Sequence, residues 1–183
     1  AVCTAGDSIG KTIDTLNKCL QANLQLQAMG ISQPDSAYSL IMPESYVGLP
    51  FMDVDPSEKE KRKKEKAAQQ LKAICEDLRE RKTGISHLTE GPLPWFFTHV
   101  VGGFFEHVLI TDKRFHVVEE RCVKCGICAN VCPVGDISGG KGKKPVWLHH
   151  DDCLTCFSCY HHCPHHAIEF GRQTQKKGQY YYK

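Results

Sequence analysis

The chain has 183 residues, of which 41% are hydrophobic, and a formal net charge of +2 at pH 7. This length allows one large domain or two small ones, and the composition leaves room for an apolar core. Because the sequence contains no signal peptide and no apolar run of about 18 residues, it predicts no transmembrane segment.

The first third of the chain is predicted to be part of an α/β domain. Residues 1–4 (AVCT) and residues 37–42 (AYSLIM) are short apolar runs typical of strands. Between them, apolar residues recur at helical spacing: Ile9, Ile13, Leu16, Leu20 and Leu24. We expect Asp7 or Ser8 to cap this helix and Gly30 to end it. The order strand, helix, strand predicts a parallel crossover unit.

A second helix is predicted from Ser57 to about Lys82. Ser57 and Glu60 have the spacing of a capping box, and Gly84 follows as a stop. The basic run at residues 59–66 (KEKRKKEK) is interrupted by two glutamates and contains no aromatic residue. We therefore expect a solvated helix face and no nucleic-acid partner. Since two parallel strands do not make a stable open sheet, we expect the beginning of this domain to lie upstream or to come from another subunit.

Residues 91–112 (GPLPWFFTHVVGGFFEHVLITD) are much richer in aromatic side chains than the rest of the chain. One interpretation is a helix that lies on a membrane surface. However, the segment lacks a polar face rich in lysine or arginine. We expect instead an interdomain connector that buries its rings, because large apolar patches rarely stay exposed.

A cysteine motif occurs twice in the last third of the chain. Residues 122–133 (CVKCGICANVCP) and residues 153–164 (CLTCFSCYHHCP) share the spacing C-x-x-C-x-x-C-x-x-x-C-P. Three closely spaced thiolates and a remote fourth hold a [4Fe-4S] cubane, and in two-cluster ferredoxins the last cysteine of each run ligates the other cluster. Structural zinc is the alternative, but zinc sites usually need only two cysteine pairs separated by a longer loop.

This pattern predicts two [4Fe-4S] clusters with interleaved ligands. The predicted ligands of cluster I are Cys122, Cys125, Cys128 and Cys163. Those of cluster II are Cys153, Cys156, Cys159 and Cys132. Pro133 and Pro164 suit the turns that carry the crossing cysteines away from their own loops. Iron–sulfur clusters need reduced thiolates, which predicts a reducing, cytoplasmic location.

The remaining three of the eleven cysteines are scattered: Cys3, Cys19 and Cys75. We expect them to be buried free thiols, since a lone cysteine usually behaves as a small core residue. Four histidines lie in and after the second motif: His161, His162, His165 and His166. Because neither motif lacks a cysteine, we expect these histidines at the surface or behind the ligands rather than on iron. The tail residues Tyr180, Tyr181 and Tyr182 are expected to pack on their own domain or on the connector.

Short β-like runs flank the motifs at residues 115–118, 145–148 and 167–170. Ile137 and Ile168 each lie fifteen residues after the first cysteine of their motif. These matching positions predict a pseudo-twofold domain built from an internal repeat.

Residues 117–170 closely resemble the bacterial-type two-[4Fe-4S] ferredoxin domain, with all eight cysteines and both prolines in place. The whole chain resembles the C-terminal part of the flavodoxin–ferredoxin fusion proteins of anaerobic bacteria. This wider resemblance is carried by five stretches: AVCTAGD, IMPESYVGLPFMDVD, PWFF, SCYHHCPHHAI and KGQYYYK.

The resemblance implies an α+β fold with three parts: the C-terminal part of a flavodoxin-like α/β domain at 1–83, an aromatic-rich connector at 84–116 and the ferredoxin domain with its tail at 117–183. It also implies FMN in the full-length protein, with Thr4, Ala5, Gly6 and Asp7 in the loop that flanks the flavin ring. The family's phosphate-binding loop after the first strand has no counterpart in this sequence. A plain turn and helix cap is the alternative for residues 4–7.

The sequence therefore predicts a low-potential electron carrier rather than a stand-alone enzyme, with two clusters of unequal potential and other redox proteins as partners. Two alternatives stay open. The chain is then either the electron-entry portion of a flavin-dependent oxidoreductase or a metal-stabilised interaction module without a redox role.

Overall fold

The computed structural model describes residues 1–182, residue 108 by its backbone alone, and they form two compact units. The N-terminal unit comprises Ala1–Glu44 and Pro56–Gly103. The C-terminal unit comprises Ser45–Asp55, here called the strap, and the residues from Phe104 onward. The strap thus belongs to the C-terminal unit, although the predicted boundaries at 83 and 116 place residues 45–55 in the first segment. Lys183, the last residue of the predicted segment 117–183, lies outside the described residues.

The N-terminal unit contains a parallel sheet with the strand order β1-β2-β3. Its strands are β1 at Val2–Ala5, β2 at Ala37–Ile41 and β3 at Ser86–His87. β1 pairs with β2 in parallel, from Val2 opposite Tyr38 to Ala5 opposite Ile41, which confirms the predicted crossover. β3 is a further parallel strand that the sequence did not predict, because two extended residues show no alternation.

The first predicted helix is shorter than expected and is broken into two. α1 spans Thr12–Ala22, and α2 spans Leu24–Ala28. Asn23 lies between them with extended backbone, and its side chain accepts hydrogen bonds from two backbone N–H groups in the first turn of α2. It therefore caps a new helix instead of continuing the first. The expected cap at Asp7 or Ser8 is wrong, since α1 begins later.

α3 spans Ser57–Arg79 and packs against β2. The contact buries Tyr38, Leu40 and Ile74. The helix begins and ends close to the predicted limits. The capping box is wrong, because Pro56 occupies the N-cap position and none of the described side chains caps the helix start.

The aromatic segment is helical: α4 at Pro94–Phe96, a π-helix at Phe97–Val101 and α5 at Gly102–Val108. Its rings are not buried as expected, since Trp95 is 63% exposed and Phe104 61% exposed. A helix presents side chains all around its axis, so only some of them can face one core. Among residues 1–182, no helix is both long and apolar enough to cross a membrane.

The C-terminal unit contains two antiparallel strand pairs. β4 (Phe115–Val117) pairs with β7 (Ile168–Phe170), and β5 (Ile137–Gly140) pairs with β6 (Lys143–Trp147). Two four-residue helices follow the cysteine loops: α6 at Ile127–Asn130 and α7 at Ser158–His161. Each helix begins five residues after the first cysteine of its motif, so the two motifs share one local structure.

An aromatic cluster forms the core of the C-terminal unit. The ring centroid of Phe115 lies 4.7 Å from that of Phe170 and 5.3 Å from that of Phe157. The strap completes this core, because Val47 is fully buried in it and the Tyr46 ring packs edge-on against Phe157 at 5.3 Å.

Candidate metal centres

Two cavities in the C-terminal unit are each lined by four cysteines. The cysteines that line cavity I are Cys122, Cys125, Cys128 and Cys163. Those that line cavity II are Cys132, Cys153, Cys156 and Cys159. Each cavity therefore takes three cysteines from one motif and the last cysteine from the other. These are the sets that the spacing predicts for clusters I and II.

Left-handed backbone at two positions curls each cysteine loop. In the first motif these residues are Lys124, with φ 56°, and Gly126, with φ 83°. The equivalent residues of the second motif are Thr155, with φ 47°, and Phe157, with φ 59°. Such φ values are uncommon outside glycine and reverse the chain direction locally. They let three side chains of one short loop face the same space.

The third and fourth cysteines of each motif line different cavities. Cys128 on α6 lines cavity I, and Cys132, two residues after α6 ends, lines cavity II. Cys159 on α7 lines cavity II, and Cys163, two residues after that helix ends, lines cavity I. Because only four residues separate the two cysteines in each motif, the two ligand sets are close neighbours.

The donor set suits a [4Fe-4S] cluster in each cavity. Four thiols would supply one ligand to each iron of a cubane. Backbone N–H groups donate to two of the sulfur atoms: Ala167 to Cys163 Sγ at 3.2 Å and Thr155 to Cys153 Sγ at 3.4 Å. No group of three or more described His, Cys, Asp or Glu side chains is placed to hold a single metal ion.

Burial controls the protonation of these thiols before iron binds. It raises the pKa of Cys128, Cys153 and Cys159 above the usual value for a thiol. A chain without iron therefore holds neutral thiols at these positions, and cluster insertion must displace their protons.

Exposure differs among the cysteines of each motif. The second cysteine, Cys125 in one motif and Cys156 in the other, is exposed, whereas the other six are buried or half-buried. Both candidate sites thus reach the surface at one corner.

The walls of the two cavities carry different charges. Arg121, Lys124 and His165 line cavity I. Cavity II has an aromatic wall and one acidic residue, Asp136, which is 3% exposed. Burial, and then the neighbouring Asp112 carboxylate, raise the pKa of Asp136. Sequence reasoning missed this residue, although its counterpart four residues after Cys163 is an alanine.

Strap and tail hold α7 from opposite sides. His161, expected near the surface or behind the ligands, is 5% exposed; its Nε2 lies 2.6 Å from the Ser45 carbonyl oxygen, and its Nδ1 accepts from the Tyr180 N–H at 3.2 Å. The Tyr160 hydroxyl donates to the Lys177 carbonyl at 2.8 Å. The Tyr181 ring stacks on His162 with centroids 4.2 Å apart, whereas Tyr182 is 65% exposed, so the predicted packing of the three tyrosines holds only in part.

The predicted flavin loop lies elsewhere, at the carboxyl end of β1 in the N-terminal unit. Thr4 and Ala5 end the strand, and the Gly6 carbonyl accepts a hydrogen bond from Lys63 Nζ at 2.7 Å. Asp7 Oδ1 lies 3.5 Å from the same Nζ atom. The structure therefore does not bring this loop together with the cysteines in one unit.

The scattered cysteines are not the buried thiols that we expected. Cys19 is exposed, and Cys3 and Cys75 are only half-buried. The helix that carries Cys19 buries no residue, so this position is not a core position.

Comparison with known proteins identifies the region around the two cavities. Residues 113–168 match the family described as the 4Fe-4S dicluster domain. Over 70 residues the chain is 33% identical to a ferredoxin of Streptomyces griseus, covering 37% of this chain and 65% of that protein. Over 28 residues it is 54% identical to a ferredoxin of Megasphaera elsdenii, covering 15% of this chain and 52% of that protein.

An uncharacterized protein of Porphyra purpurea is 34% identical over 53 residues, which covers 26% of this chain and 71% of that protein. All of these relatives match part of the chain, and the chain spans between 52% and 71% of their lengths. The family match includes β4 and both cysteine motifs, and it ends at Ile168, the first residue of β7. Residues 113–168 of this chain therefore form a ferredoxin-type 4Fe-4S dicluster domain.

Proposed function

We propose that this chain is a one-electron carrier with two [4Fe-4S] clusters. Cluster I is held by Cys122, Cys125, Cys128 and Cys163, and cluster II by Cys153, Cys156, Cys159 and Cys132. The observation that carries the proposal is the presence of four cysteines in each of two adjacent cavities. When bound, such clusters supply reversible one-electron transfer.

The positions of the ligating cysteines determine where electrons can enter and leave the protein. Cys125 and Cys156 bring one corner of each site to the surface, where redox partner proteins make contact. Only four residues separate Cys128 from Cys132 and Cys159 from Cys163, which keeps the two ligand sets close and suits tunnelling between them. The backbone N–H groups that donate to Cys153 and Cys163 stabilise negative charge on sulfur.

Anaerobic purification of the full chain tests this function. We expect about eight irons and eight acid-labile sulfides per chain, because each cubane contains four of each. Dithionite reduction should give the EPR spectrum of reduced [4Fe-4S] clusters. A colourless protein that contains zinc and no sulfide would support the non-redox interaction module and overturn the proposal.

We also propose that residues 1–83 belong to a flavodoxin-like domain and that residues 84–116 are its connector. Three parallel strands support this assignment, because doubly wound sheets place ligands beyond the carboxyl ends of their strands. Thr4, Ala5, Gly6 and Asp7 lie at such an end and are the proposed FMN contacts. The flavin in the full-length protein then couples one-electron to two-electron chemistry.

The full-length protein from its native source tests the flavin assignment. We expect about one FMN per chain, released on denaturation, since a single flavin site is proposed. A full-length protein with both clusters and no flavin would overturn this assignment alone. Substrate turnover by the flavin-loaded protein would favour the electron-entry portion of an oxidoreductase over a simple carrier.

A further inference from the structure

Asp136 distinguishes the two candidate cluster sites. It is the one acidic residue among the described residues that line either cavity. Asp136 follows Cys132 by four residues, and its counterpart four residues after Cys163 is Ala167, which lines cavity I. The same position of the shared local structure therefore carries a carboxyl group on one side and a methyl group on the other.

Asp136 belongs to a group of polar side chains that includes Asp112 and His149. None of the described groups donates a hydrogen bond to either of its carboxylate oxygens, and both oxygens are buried. Asp112, also 3% exposed, lies within hydrogen-bonding reach of Asp136. On its other side, Asp112 Oδ2 lies 2.7 Å from His149 Nδ1. The pair therefore places two carboxyl groups beside cavity II, where the equivalent position at cavity I has the Ala167 methyl group.

We propose that the buried pair of Asp112 and Asp136 makes cluster II the centre of lower reduction potential. This inference rests on the proposed function, since it assumes that both sites hold [4Fe-4S] clusters. A buried carboxylate near a cluster disfavours each added electron, and low dielectric makes the repulsion stronger than it is in water. At cavity I, Lys124 acts in the opposite sense, whereas Arg121 is already paired with the Glu169 carboxylate. One electron passes from site II to site I, with no bond made or broken.

Asp136→Ala, which installs the residue of the equivalent position, tests the proposal. Potentials are measured by anaerobic spectroelectrochemistry with EPR detection on the full chain. We expect the equilibrium constant for reduction at the lower couple to increase about tenfold. For one electron this change raises the reduction potential by about 59 mV. The higher couple should stay within experimental error. Cys125→Ser alters the exposed ligand of cavity I, so the couple whose potential changes in this variant belongs to cluster I.

Two further variants separate charge from packing. Asp136→Asn keeps the side-chain volume, and Asp112→Asn removes charge without altering the lining of cavity II. Both should raise the lower couple. Glu120→Gln is the matched control, because it removes an exposed carboxylate and should move neither couple by a comparable amount.

The outcomes separate this inference from the proposed function. If the unmodified protein lacks iron and sulfide, the proposed function fails. If both clusters are present and reducible, but neither aspartate variant with full iron content raises the lower couple, only this inference is overturned. A shift of the higher couple in place of the lower one overturns it equally.

Discussion

Single residues with left-handed backbone shape the two cysteine loops in different ways. Gly126 needs the absence of a side chain, because a Cβ atom there would lie 2.7 Å from the backbone carbon of Gly140. At the equivalent position, Phe157 adopts φ 59° and is 1% exposed. Its ring contacts in the aromatic core offset the strain of that conformation.

Gly126→Ala should therefore damage site I selectively. A non-glycine residue in this conformation costs about 1–2 kcal/mol before any clash with the Gly140 backbone is counted. We expect the iron content to fall from about eight toward about four per chain, since one of two cubanes is lost. Iron and sulfide analysis measures the effect.

Gly135→Ala is the matched control for this substitution. Gly135 also has a positive φ, 67°, but apart from its own chain neighbours none of the described residues has an atom within 4 Å of a Cβ atom built on it. It should keep its full iron content. Equal iron loss in both variants would show that backbone strain, not the approach of Gly140, decides the result.

A buried ion pair fixes the start of the first cysteine loop. Glu169 on β7 is 1% exposed and lies 2.6 Å from Arg121, the residue before Cys122. The Thr174 hydroxyl donates to the other carboxylate oxygen at 2.6 Å. Strand, loop and tail thus meet at one carboxylate.

Glu169→Gln should lower the stability of the holoprotein by about 1–3 kcal/mol, less than for a fully buried pair because the Arg121 side chain is 38% exposed. Thermal unfolding should shift downward by several degrees, at about 4–8 °C per kcal/mol for a domain of this size. Glu119→Gln is the control, since its ion pair with Lys144 is exposed and should contribute no more than about 1 kcal/mol. Equal shifts in the two variants would contradict the role of burial.

Among the elements of the fold, the strap is unusual because it belongs to the C-terminal unit although the residues before and after it belong to the N-terminal unit. It leaves the N-terminal unit after β2, contributes Val47 and Tyr46 to the core of the C-terminal unit, and returns at α3. Lys177 Nζ donates to the Val47 carbonyl at 3.0 Å, and the Gly178 N–H donates to Asp53 at 3.0 Å. Polar bonds to the tail thus reinforce the apolar contact.

Val47→Ala should destabilise the C-terminal unit by about 2 kcal/mol, because two buried methyl groups are lost and a cavity remains. Thermal unfolding followed at the cluster absorbance measures the change. Phe51→Ala is the control within the same strap, since Phe51 is 83% exposed and its loss should stay within about 0.5 kcal/mol. A larger loss for Phe51→Ala would refute the packing assigned to Val47.

At the scale of the whole molecule, the two units depend on different forces. The N-terminal unit relies on packing of α3 against its parallel sheet. The C-terminal unit surrounds two cavities lined by cysteines, so its stability should be linked to bound iron.

Iron removal by a chelator under reducing conditions should therefore unfold one unit selectively. Hydrogen exchange measured by mass spectrometry should show lost protection from residue 104 onward and in the strap, while α3 keeps part of its protection. The strap is the decisive segment, because in sequence it lies between parts of the N-terminal unit. If residues 45–55 stay protected while residues 122–170 exchange freely, the grouping of the strap is wrong.

Much of the candidate site could be predicted from the sequence because the chemistry is local. Three cysteines at intervals of three residues must share one loop, and a proline after the fourth marks the crossing. The strands at residues 115–117 and 168–170 could also be predicted, since short β-branched and aromatic runs flank the motifs. Iron ligation by the named cysteines stays a prediction for chemical analysis.

The sequence by itself thus determined the ferredoxin-type domain, its two sets of four cysteines and the parallel crossover that precedes it. Only the tertiary structure decided that Val47 completes a core more than a hundred residues away in sequence from Phe157, and that Asp136 is buried with no hydrogen-bond donor among the described residues. The physical reason is the distance along the sequence between the residues that interact. Ligand spacing is fixed by covalent geometry within one loop, whereas burial and charge compensation depend on which distant segments fold over a residue.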